Sequence, residues 1–306
     1  MNESLSQYDA LRDCQYSQWS TRGELDCLEI RHPLFSADLL LQGAQLLHFA
    51  PTGQGNWLWL SEQALYQTGV AVRGGMPICW PWFGNAHDNP ASVQQHIVDP
   101  TTASAHGFAR VSVWQLLAVQ ESMQESGQQV SLHLALPVVQ DSGWLADSRL
   151  EVVFRLSAAA LTVELITQTG VQPITFSQAL HSYFPTPDIH HTSILGFEGL
   201  AYADALQDWQ QQVQHGPIRF SAETDRVYQA NGVQRLVTPT RKMVLQSNSN
   251  SAVVWNPWVD KSARLSQCAS DAWQRMFCVE TANVMDDVVS LQAGQTYTLS
   301  LSIYCD

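Results

Sequence analysis

Positive charge is scarce in this sequence. Lys and Arg number 15 against 28 Asp and Glu, which gives a formal net charge of −13 at pH 7. Nucleic acids and anionic membranes are bound through basic patches, so this balance argues against both as partners. The overall field also repels anions. A site for an anionic ligand must therefore be built locally, from a few well-placed Arg side chains.

Cysteine pairs and long apolar runs are also missing. The six Cys are scattered, with no Cys-x-x-Cys pair and no Cys/His cluster at zinc-ligand spacing. We therefore expect reduced, mostly buried thiols and no metal site. No apolar run could span a bilayer, and residues 1–7 have neither the basic nor the apolar region of a leader peptide. The sequence predicts a soluble, cytoplasmic protein.

Helical periodicity is weak, with short candidates only at 62–66 and 203–209. Segments of strand length dominate instead, and Gly, Asn, Pro and Ser stand at the joins. The clearest pair, 150–156 and 161–167, predicts a hairpin. Further strands are predicted at 25–30, 35–41, 45–49, 111–119, 130–136, 174–184, 233–237, 243–246, 253–255, 276–280 and 297–304. The pattern predicts an all-β fold, a large antiparallel sandwich or barrel, with residues 1–306 in one domain.

The most informative stretch is 73–84, RGGMPICWPWFG, which holds an Arg, three Gly, two Pro and three large aromatics. It is too rigid and too aromatic for a solvated loop, and too poor in acids, His and Cys for a metal site. It suits a surface that stacks on a flat ligand and holds an anion beside it. Trp82 and Phe83 are the candidate stacking residues, and Arg73 is the candidate anion ligand.

A second stretch, 106–110, adds His106 and Arg110. Together the two stretches indicate a site for a phosphorylated or carboxylated polyol, most readily a sugar. The segment 85–105 between them is the most loop-like part of the chain. It is interpreted either as a lid or insertion at the mouth of the site, or as an ordinary surface loop.

Two residues could carry acid–base chemistry. On a strand, His181 shares a face with Ala179 and Tyr183, which leaves room for a ligand. A hydrogen-bonded structural role is the alternative for His181, as it is for His106. Glu280 ends an apolar run, and a partly desolvated carboxylate has the raised proton affinity that a general base requires. The alternative is a strand-end Glu that faces water.

Three further residues are candidates for binding. Asp225 could contact a ligand or simply occupy a turn. Trp258 lies in the segment 255–261, WNPWVDK, which ends at Lys261. Trp faces stack well on the C–H faces of pyranose rings. The alternative for Trp258 is core packing, since the chain contains eleven Trp.

Five motifs in order resemble the glucose-6-phosphate 1-epimerases, also called hexose-6-phosphate mutarotases, a branch of the aldose 1-epimerase superfamily. The resemblance runs from about the first strand to the C-terminus. The motifs are Arg-Gly-Gly-x-Pro-x-x-Trp-Pro-Trp-Phe-Gly at 73–84, His-Gly-Phe-Ala-Arg at 106–110, Leu-His-Ser-Tyr-Phe at 180–184, Trp-Asn-Pro-Trp-x-x-Lys at 255–261 and Cys-Val-Glu-Thr-Ala-Asn at 278–283.

The resemblance implies a galactose-mutarotase-like β-supersandwich with the sugar on a concave sheet face. It implies interconversion of the α and β anomers of a hexose 6-phosphate, with Glu280 as general base and His181 as general acid. No metal or cofactor is implied. The other implied roles are sugar-hydroxyl contacts for His106 and Asp225, phosphate contacts for Arg73 and Arg110, and an anion or hydroxyl contact for Lys261.

Two alternatives stay open on the same fold. One is a non-catalytic module that binds or senses a sugar phosphate, although the presence of both the acid and the base counts against it. The other is a mutarotase of neutral aldoses or a lyase-like relative, against which the two Arg argue. The expected partner is a small-molecule sugar phosphate, and nothing suggests an obligate protein partner, so we expect a monomer.

Overall fold

The structure, a computed structural model, describes residues 14–125 and 127–306, so the prediction for residues 1–7 lies outside it. Antiparallel strands dominate, and the predicted all-β class is confirmed. The strands are β1 (Ser17–Arg22), β2 (Leu25–His32), β3 (Phe35–Leu40), β4 (Gln45–Pro51), β5 (Ile78–Cys79), β6 (Gln115–Gln124), β7 (Gly127–Leu136), β8 (Ser148–Ser157), β9 (Ala160–Thr169), β10 (Ile174–Phe176), β11 (Gln178–Leu180), β12 (Tyr183–Pro185), β13 (Ser193–Leu195), β14 (Ala201–Asp204), β15 (Gln210–Val213), β16 (Ile218–Arg219), β17 (Thr224–Gln229), β18 (Val233–Val237), β19 (Lys242–Ser247), β20 (Ser251–Asn256), β21 (Met276–Asn283), β22 (Val289–Leu291) and β23 (Thr296–Cys305).

Two large sheets are formed by the described residues. One has the order β15-β14-β17-β20-β21-β11-β5, with β12 also paired to β21. The other has the order β16-β13-β18-β19-β23-β9-β8-β7-β6. A four-stranded sheet, β1 to β4, and the pair β10-β22 complete the arrangement. The predicted hairpin is confirmed, because β8 and β9 pair with Leu156 opposite Leu161.

Strand β21 divides the core from the site. All of its residues are buried. Phe277 and Val279 belong to the main apolar cluster, which also contains Phe154 of the other large sheet. Since successive strand residues point to opposite faces, Glu280 lies on the face away from that core. Alternate residues of the apolar run that precedes Glu280 therefore face the core, and those between them face the site.

Helices are short, as the weak periodicity predicted. The α-helices are α1 (Ala91–Gln94) and α2 (Trp258–Ser262), and the 3-10 turns are Ala86–Asp88, Ala109–Val111, Ile189–His191, Ala205–Gln207, Ala272–Gln274 and Met285–Asp287. The predicted helix at 62–66 is wrong. There the Leu65 N–H donates to the side chain of Gln267, 2.9 Å away, instead of to a helical carbonyl. The candidate at 203–209 reduces to the single 3-10 turn after β14.

Most predicted strands agree with the structure to within three residues at each end, and two predictions differ more. The strand predicted at 111–119 begins only at Gln115, because a 3-10 turn occupies Ala109–Val111. The segment 174–184 is divided into β10, β11 and β12. Five of the six Cys are buried, as expected. Among the described residues, no helix has the length and apolar character needed to cross a membrane.

Candidate active site

A cavity of about 450 Å³ lies on the outer face of the sheet that contains β21. Strands β17, β20 and β21, the end of β11 and the segment around 83–90 contribute to its walls. Seven of the ten predicted site residues line it together: Arg73, Phe83, His106, His181, Asp225, Lys261 and Glu280. They come from positions up to two hundred residues apart, so the fold assembles one site from the separate motifs.

Glu280 and His181 form the centre of the cavity. The Nε2 atom of His181 lies 3.5 Å from Oε1 of Glu280, at the edge of hydrogen-bond distance. Glu280 is 2% exposed, and its Oε2 has no hydrogen-bond partner among the described residues. A buried, unpartnered carboxylate oxygen is costly for stability, and such groups concentrate at functional sites. The water-facing alternative for Glu280 is therefore wrong.

Burial and charge drive the pKa values of this pair apart. Burial lowers the pKa of His181 well below its usual value, and His106, Arg110 and Arg73 lower it further. Burial raises the pKa of Glu280 well above its usual value, and the nearby Asp225 carboxylate adds to this. Both shifts favour the neutral form of each group, with the shared proton on Glu280. Moving that proton to His181 gives a carboxylate base beside an imidazolium acid, without any exchange with solvent.

Tyr183 connects His181 to Arg73. The rings of His181 and Tyr183 stack with centroids 4.7 Å apart and planes at 5°. The Tyr183 hydroxyl accepts a hydrogen bond from Nη1 of Arg73 at 3.4 Å. Trp59 stacks against Tyr183 at 5.9 Å. The predicted common face of His181 and Tyr183 is confirmed, and the stack holds the imidazole and the guanidinium in a fixed relation.

His106 is held by its backbone and by its Nδ1 atom. Its φ is 64°, and the next residue, Gly107, has φ 68°. A Cβ on Gly107 would lie 2.0 Å from the carbonyl oxygen of Trp80, so only glycine fits there. The Gly84 N–H donates to Nδ1 of His106 at 3.3 Å, and the Cys79 thiol contacts the same atom at 3.4 Å. Nδ1 is therefore an acceptor, which leaves Nε2–H as the donor.

The surroundings also keep His106 uncharged. Burial, with Arg110 and Arg73, lowers the pKa of His106 to about 3. A neutral imidazole can donate a hydrogen bond to a sugar oxygen without competing with Glu280 for a proton. Phe83 meets the His106 ring edge-on, with centroids 4.9 Å apart. The predicted contact residues His106 and Phe83 thus lie side by side on one wall of the cavity.

Lys261 and Asp225 form an ion pair within the site. The Nζ of Lys261 lies 3.0 Å from Oε1 of Glu223 and 3.5 Å from Oδ2 of Asp225. Burial raises the pKa of Asp225, and Lys261 opposes this shift. Since two carboxylates already compensate Lys261, it is a weak candidate for a phosphate and a good one for orienting Asp225. The structure places Asp225 in strand β17 rather than in a turn.

Three predicted residues are not among the described residues that line the cavity. Arg110 donates from Nη2 to the Ala105 carbonyl at 2.7 Å. Trp82 is 2% exposed, and its indole N–H donates to the Ser104 carbonyl. Trp258 has a left-handed φ of 53° and packs against Trp273, with ring centroids 4.3 Å apart. Both Trp side chains are therefore packing residues in this structure.

Two other Trp occupy the cavity wall. Trp255 lies edge-on to His181, with centroids 6.4 Å apart, and Lys261 Nζ is 5.8 Å from its ring centroid. Trp209 follows Asp208, and both have left-handed φ angles, 60° and 51°. This turn leaves Trp209 46% exposed at the cavity wall. The sequence feature that could have indicated Trp209 as a site residue is a single Trp within the Gln-rich, polar segment 207–214.

The segment 85–105 contributes to the mouth of the cavity. Asn85, Asp88, Asn89, Pro90 and Ala105 line it, which supports the lid or insertion interpretation over the ordinary surface loop. Asn89 anchors the segment, because its side chain donates to the carbonyls of Phe83 and Asn85 at 2.9 Å. This hydrogen bonding fixes the loop close to the wall that carries Phe83 and His106.

Cys278 lies close to the central pair. Its thiol, a His181 nitrogen and a Glu280 oxygen lie within 4.8 Å of one another. Such a set could in principle ligate a metal ion. Burial, with the Glu280 carboxylate, raises the pKa of Cys278 well above its usual value. The thiol therefore keeps its proton near neutral pH, and a protonated thiol is a poor metal ligand.

Comparisons with known proteins define the family. The profile of the aldose 1-epimerase family matches residues 26–304. A protein of Salmonella typhimurium, provisionally named a glucose-6-phosphate 1-epimerase, is 34% identical over 84% of this chain and 83% of its own. A protein of Escherichia coli with the same provisional name is 33% identical over 85% and 83%.

The fold agrees with this relationship. The crystal structure of a provisionally assigned mutarotase from Salmonella typhimurium superposes with a TM-score of 0.82 at 29% identity, covering 95% of this chain and 93% of that one. The predicted galactose-mutarotase-like β-supersandwich is confirmed. The chain belongs to the aldose 1-epimerase family. It is therefore an isomerase that acts at the anomeric carbon of a sugar.

Proposed function

We propose that this protein interconverts the α and β anomers of D-hexose 6-phosphates, with glucose 6-phosphate as the first candidate. The main support for a phosphorylated substrate is the position of Arg73. This residue lines the cavity together with His181, and its Nε has no hydrogen-bond partner among the described residues. Within the described residues no carboxylate lies within 4.0 Å of Arg73. An uncompensated guanidinium fork in a cavity matches phosphate oxygens. The names of the two bacterial relatives point to the same ester.

The acid–base pair performs ring opening. Glu280 takes the proton of the anomeric hydroxyl while protonated His181 delivers a proton to the ring oxygen, and the bond from the anomeric carbon to that oxygen breaks. Rotation about the C1–C2 bond then exposes the other face of the aldehyde. Closure reverses both transfers, so the sugar gains and loses one proton in each direction. A positioned acid or base typically contributes about 10²–10⁴ in rate.

The remaining residues orient the sugar. His106 presents Nε2–H as a donor, and Asp225, held by Lys261, offers a carboxylate to sugar hydroxyls. Trp255 and Trp209 take the stacking role that the sequence suggested for Trp82 and Trp258. Arg110 acts on His181 through its charge, since it lowers the pKa of that imidazole. No step in this scheme calls on a metal or cofactor. A monomeric state, a cytoplasmic location and the absence of nucleic-acid partners stay predictions.

Steady-state kinetics with phosphorylated and plain sugars tests the phosphate assignment. We expect Arg73→Ala to raise KM for glucose 6-phosphate by tenfold or more, because a charge-assisted hydrogen bond is worth about 1.5–3 kcal/mol. The exposed Arg149 on β8 provides a matched control, and Arg149→Ala should leave KM unchanged. An equal loss of kcat/KM on glucose and on glucose 6-phosphate in Arg73→Ala would remove the phosphate from the proposal.

A further inference from the structure

The charges around His181 are unevenly compensated. Lys261 is paired with Glu223 and Asp225, at 3.0 and 3.5 Å. Arg73 and Arg110 have no carboxylate within 4.0 Å among the described residues, and each has a buried Nε without a hydrogen-bond partner. Two cations that influence His181, one lining the cavity and one outside its lining, therefore have no carboxylate partner at ion-pair distance in the described part of the protein.

These two cations act on the acid. Burial lowers the pKa of His181 most, and His106, Arg110 and Arg73 lower it further. For Glu280, burial raises the pKa, and Asp225 adds to this shift. The arginines thus oppose the imidazolium that ring opening requires.

The other groups around His181 do not offset this effect. Burial raises the pKa of Tyr183, which stacks on the imidazole, and that of Cys278, so both stay neutral. His106, 5.7 Å away between ring centroids, is kept neutral by its lowered pKa. Glu280 is the remaining partner, and it holds the resting proton. An anion that enters the site is therefore the missing counter-charge.

Arg73 is placed to receive that anion close to His181. Its Nη1 donates to the hydroxyl of Tyr183 at 3.4 Å, while the ring of Tyr183 lies on the imidazole at 4.7 Å. The stack therefore fixes the distance between the guanidinium and the acid. An opposite charge near an imidazolium favours that charged form and so raises the pKa of the group. A shift of one unit changes the protonated fraction about tenfold.

We propose that an oxyanion bound at Arg73 activates the enzyme as well as holding its substrate, so that the protein mutarotates a neutral aldose when a free phosphite or phosphate dianion occupies that position. This inference rests on the proposed function, since it takes Arg73 as the phosphate ligand. The anion compensates Arg73, and His181 then accepts the proton that Glu280 holds at rest. The sugar still exchanges one proton in and one proton out, and the anion is not consumed.

D-Xylose with phosphite dianion is the test, because xylose lacks the carbon that carries the phosphate and leaves room for the free anion. Anomer exchange is measured by NMR near neutral pH at constant ionic strength, with the enzyme-free rate in the same buffer subtracted. We expect phosphite to raise the enzymatic rate on xylose saturably, by about tenfold for each unit by which it raises the pKa of His181. Arg73→Gln should abolish the dependence on phosphite, and Arg149→Gln should retain it.

Two results would overturn the proposal. One is wild-type enzyme that turns over glucose 6-phosphate but shows no response of xylose exchange to phosphite. The other is the same phosphite response in Arg73→Gln as in wild type, which would place the anion elsewhere. Failure of the proposed function itself is a separate result, because it requires that glucose 6-phosphate is not turned over.

Discussion

The imidazole of His181 and the carboxylate of Glu280 lie 3.5 Å apart on the wall of one cavity. The environment raises the pKa of Glu280 through burial and lowers that of His181 through burial and neighbouring cations. Such a pair titrates as a unit, and its single proton can reside on either partner. Ring opening and closing move that proton between the two groups by way of the sugar. The arrangement is therefore suited to a reaction that needs no net proton.

Removing either partner should stop this exchange. We expect Glu280→Gln and His181→Ala each to lower kcat by about 10²–10⁴, the usual contribution of a positioned acid or base. Circular dichroism should show that both variants stay folded. A near-wild-type kcat in either variant would contradict its assigned role.

Tyr183 should matter in two separable ways. Tyr183→Phe keeps the stack on His181 but removes the hydroxyl that accepts from Arg73. We expect a higher KM for the phosphate ester with little change in kcat. Tyr183→Leu also removes the aromatic stack, worth about 0.5–1.5 kcal/mol, so kcat should fall by up to about tenfold. Identical kinetics in the two variants would show that the stack does not position the imidazole.

The Trp residues should divide into binding and packing groups. Trp209 is 46% exposed at the cavity wall, so Trp209→Ala should raise KM with little change in the free energy of unfolding. Trp82 is 2% exposed, and Trp82→Ala should cost about 3–5 kcal/mol of stability, as large core truncations do. Denaturant unfolding and steady-state kinetics on both variants check this division. The reverse pattern would restore the stacking role of Trp82.

Stability should depend on pH through Glu280. Its pKa is raised in the folded state, so above the ordinary Glu value of about 4.3 the unfolded chain releases a proton that the folded chain keeps. Stability from this group is therefore lost as pH rises towards the folded pKa. Glu280→Gln cannot ionise, so its free energy of unfolding relative to wild type should increase from acidic to neutral pH.

Urea unfolding of wild type and Glu280→Gln, each at acidic and at neutral pH, measures this difference in the free energy of unfolding. The exposed Glu125 offers a matched control, and Glu125→Gln should run parallel to wild type. Parallel curves for Glu280→Gln and wild type would mean that Glu280 is ionised at rest. The one-proton description of the pair would then be wrong.

Much of the fold could be predicted because strand patterns are local. The hairpin of β8 and β9 followed from two alternating segments and a short join of small residues, 157–160. The segment 174–184 could not be divided correctly, since its breaks depend on hydrogen bonds to distant partners. The His181 N–H, for example, donates to the carbonyl of Pro77. The local sequence pattern does not indicate hydrogen bonds to residues that are distant in the chain.

The site could be predicted as a set of motifs but not as a geometry. Trp255 and Trp258 stand in one motif, and the sequence favoured Trp258 as the sugar contact. In the structure Trp255 lines the cavity and Trp258 is not among the described lining residues; the N–H of Trp258 donates to the side chain of Asn256, and its φ is left-handed. Arg110 was predicted to contact the phosphate, but it is not among the described residues that line the cavity, and its side chain donates to the Ala105 carbonyl. Backbone turns, which sequence periodicity does not describe, decide both cases.

The central claim is anomer interconversion of a hexose 6-phosphate by the pair Glu280 and His181. NMR exchange spectroscopy of the α and β anomers of glucose 6-phosphate, with and without protein and beside plain glucose, tests it most directly. The account predicts faster exchange for the phosphate ester, little acceleration of glucose without an added oxyanion, and loss of the effect in Glu280→Gln. Line broadening of the ester without any increase in anomer exchange would contradict it and would make Glu280 and His181 sugar ligands instead of catalysts.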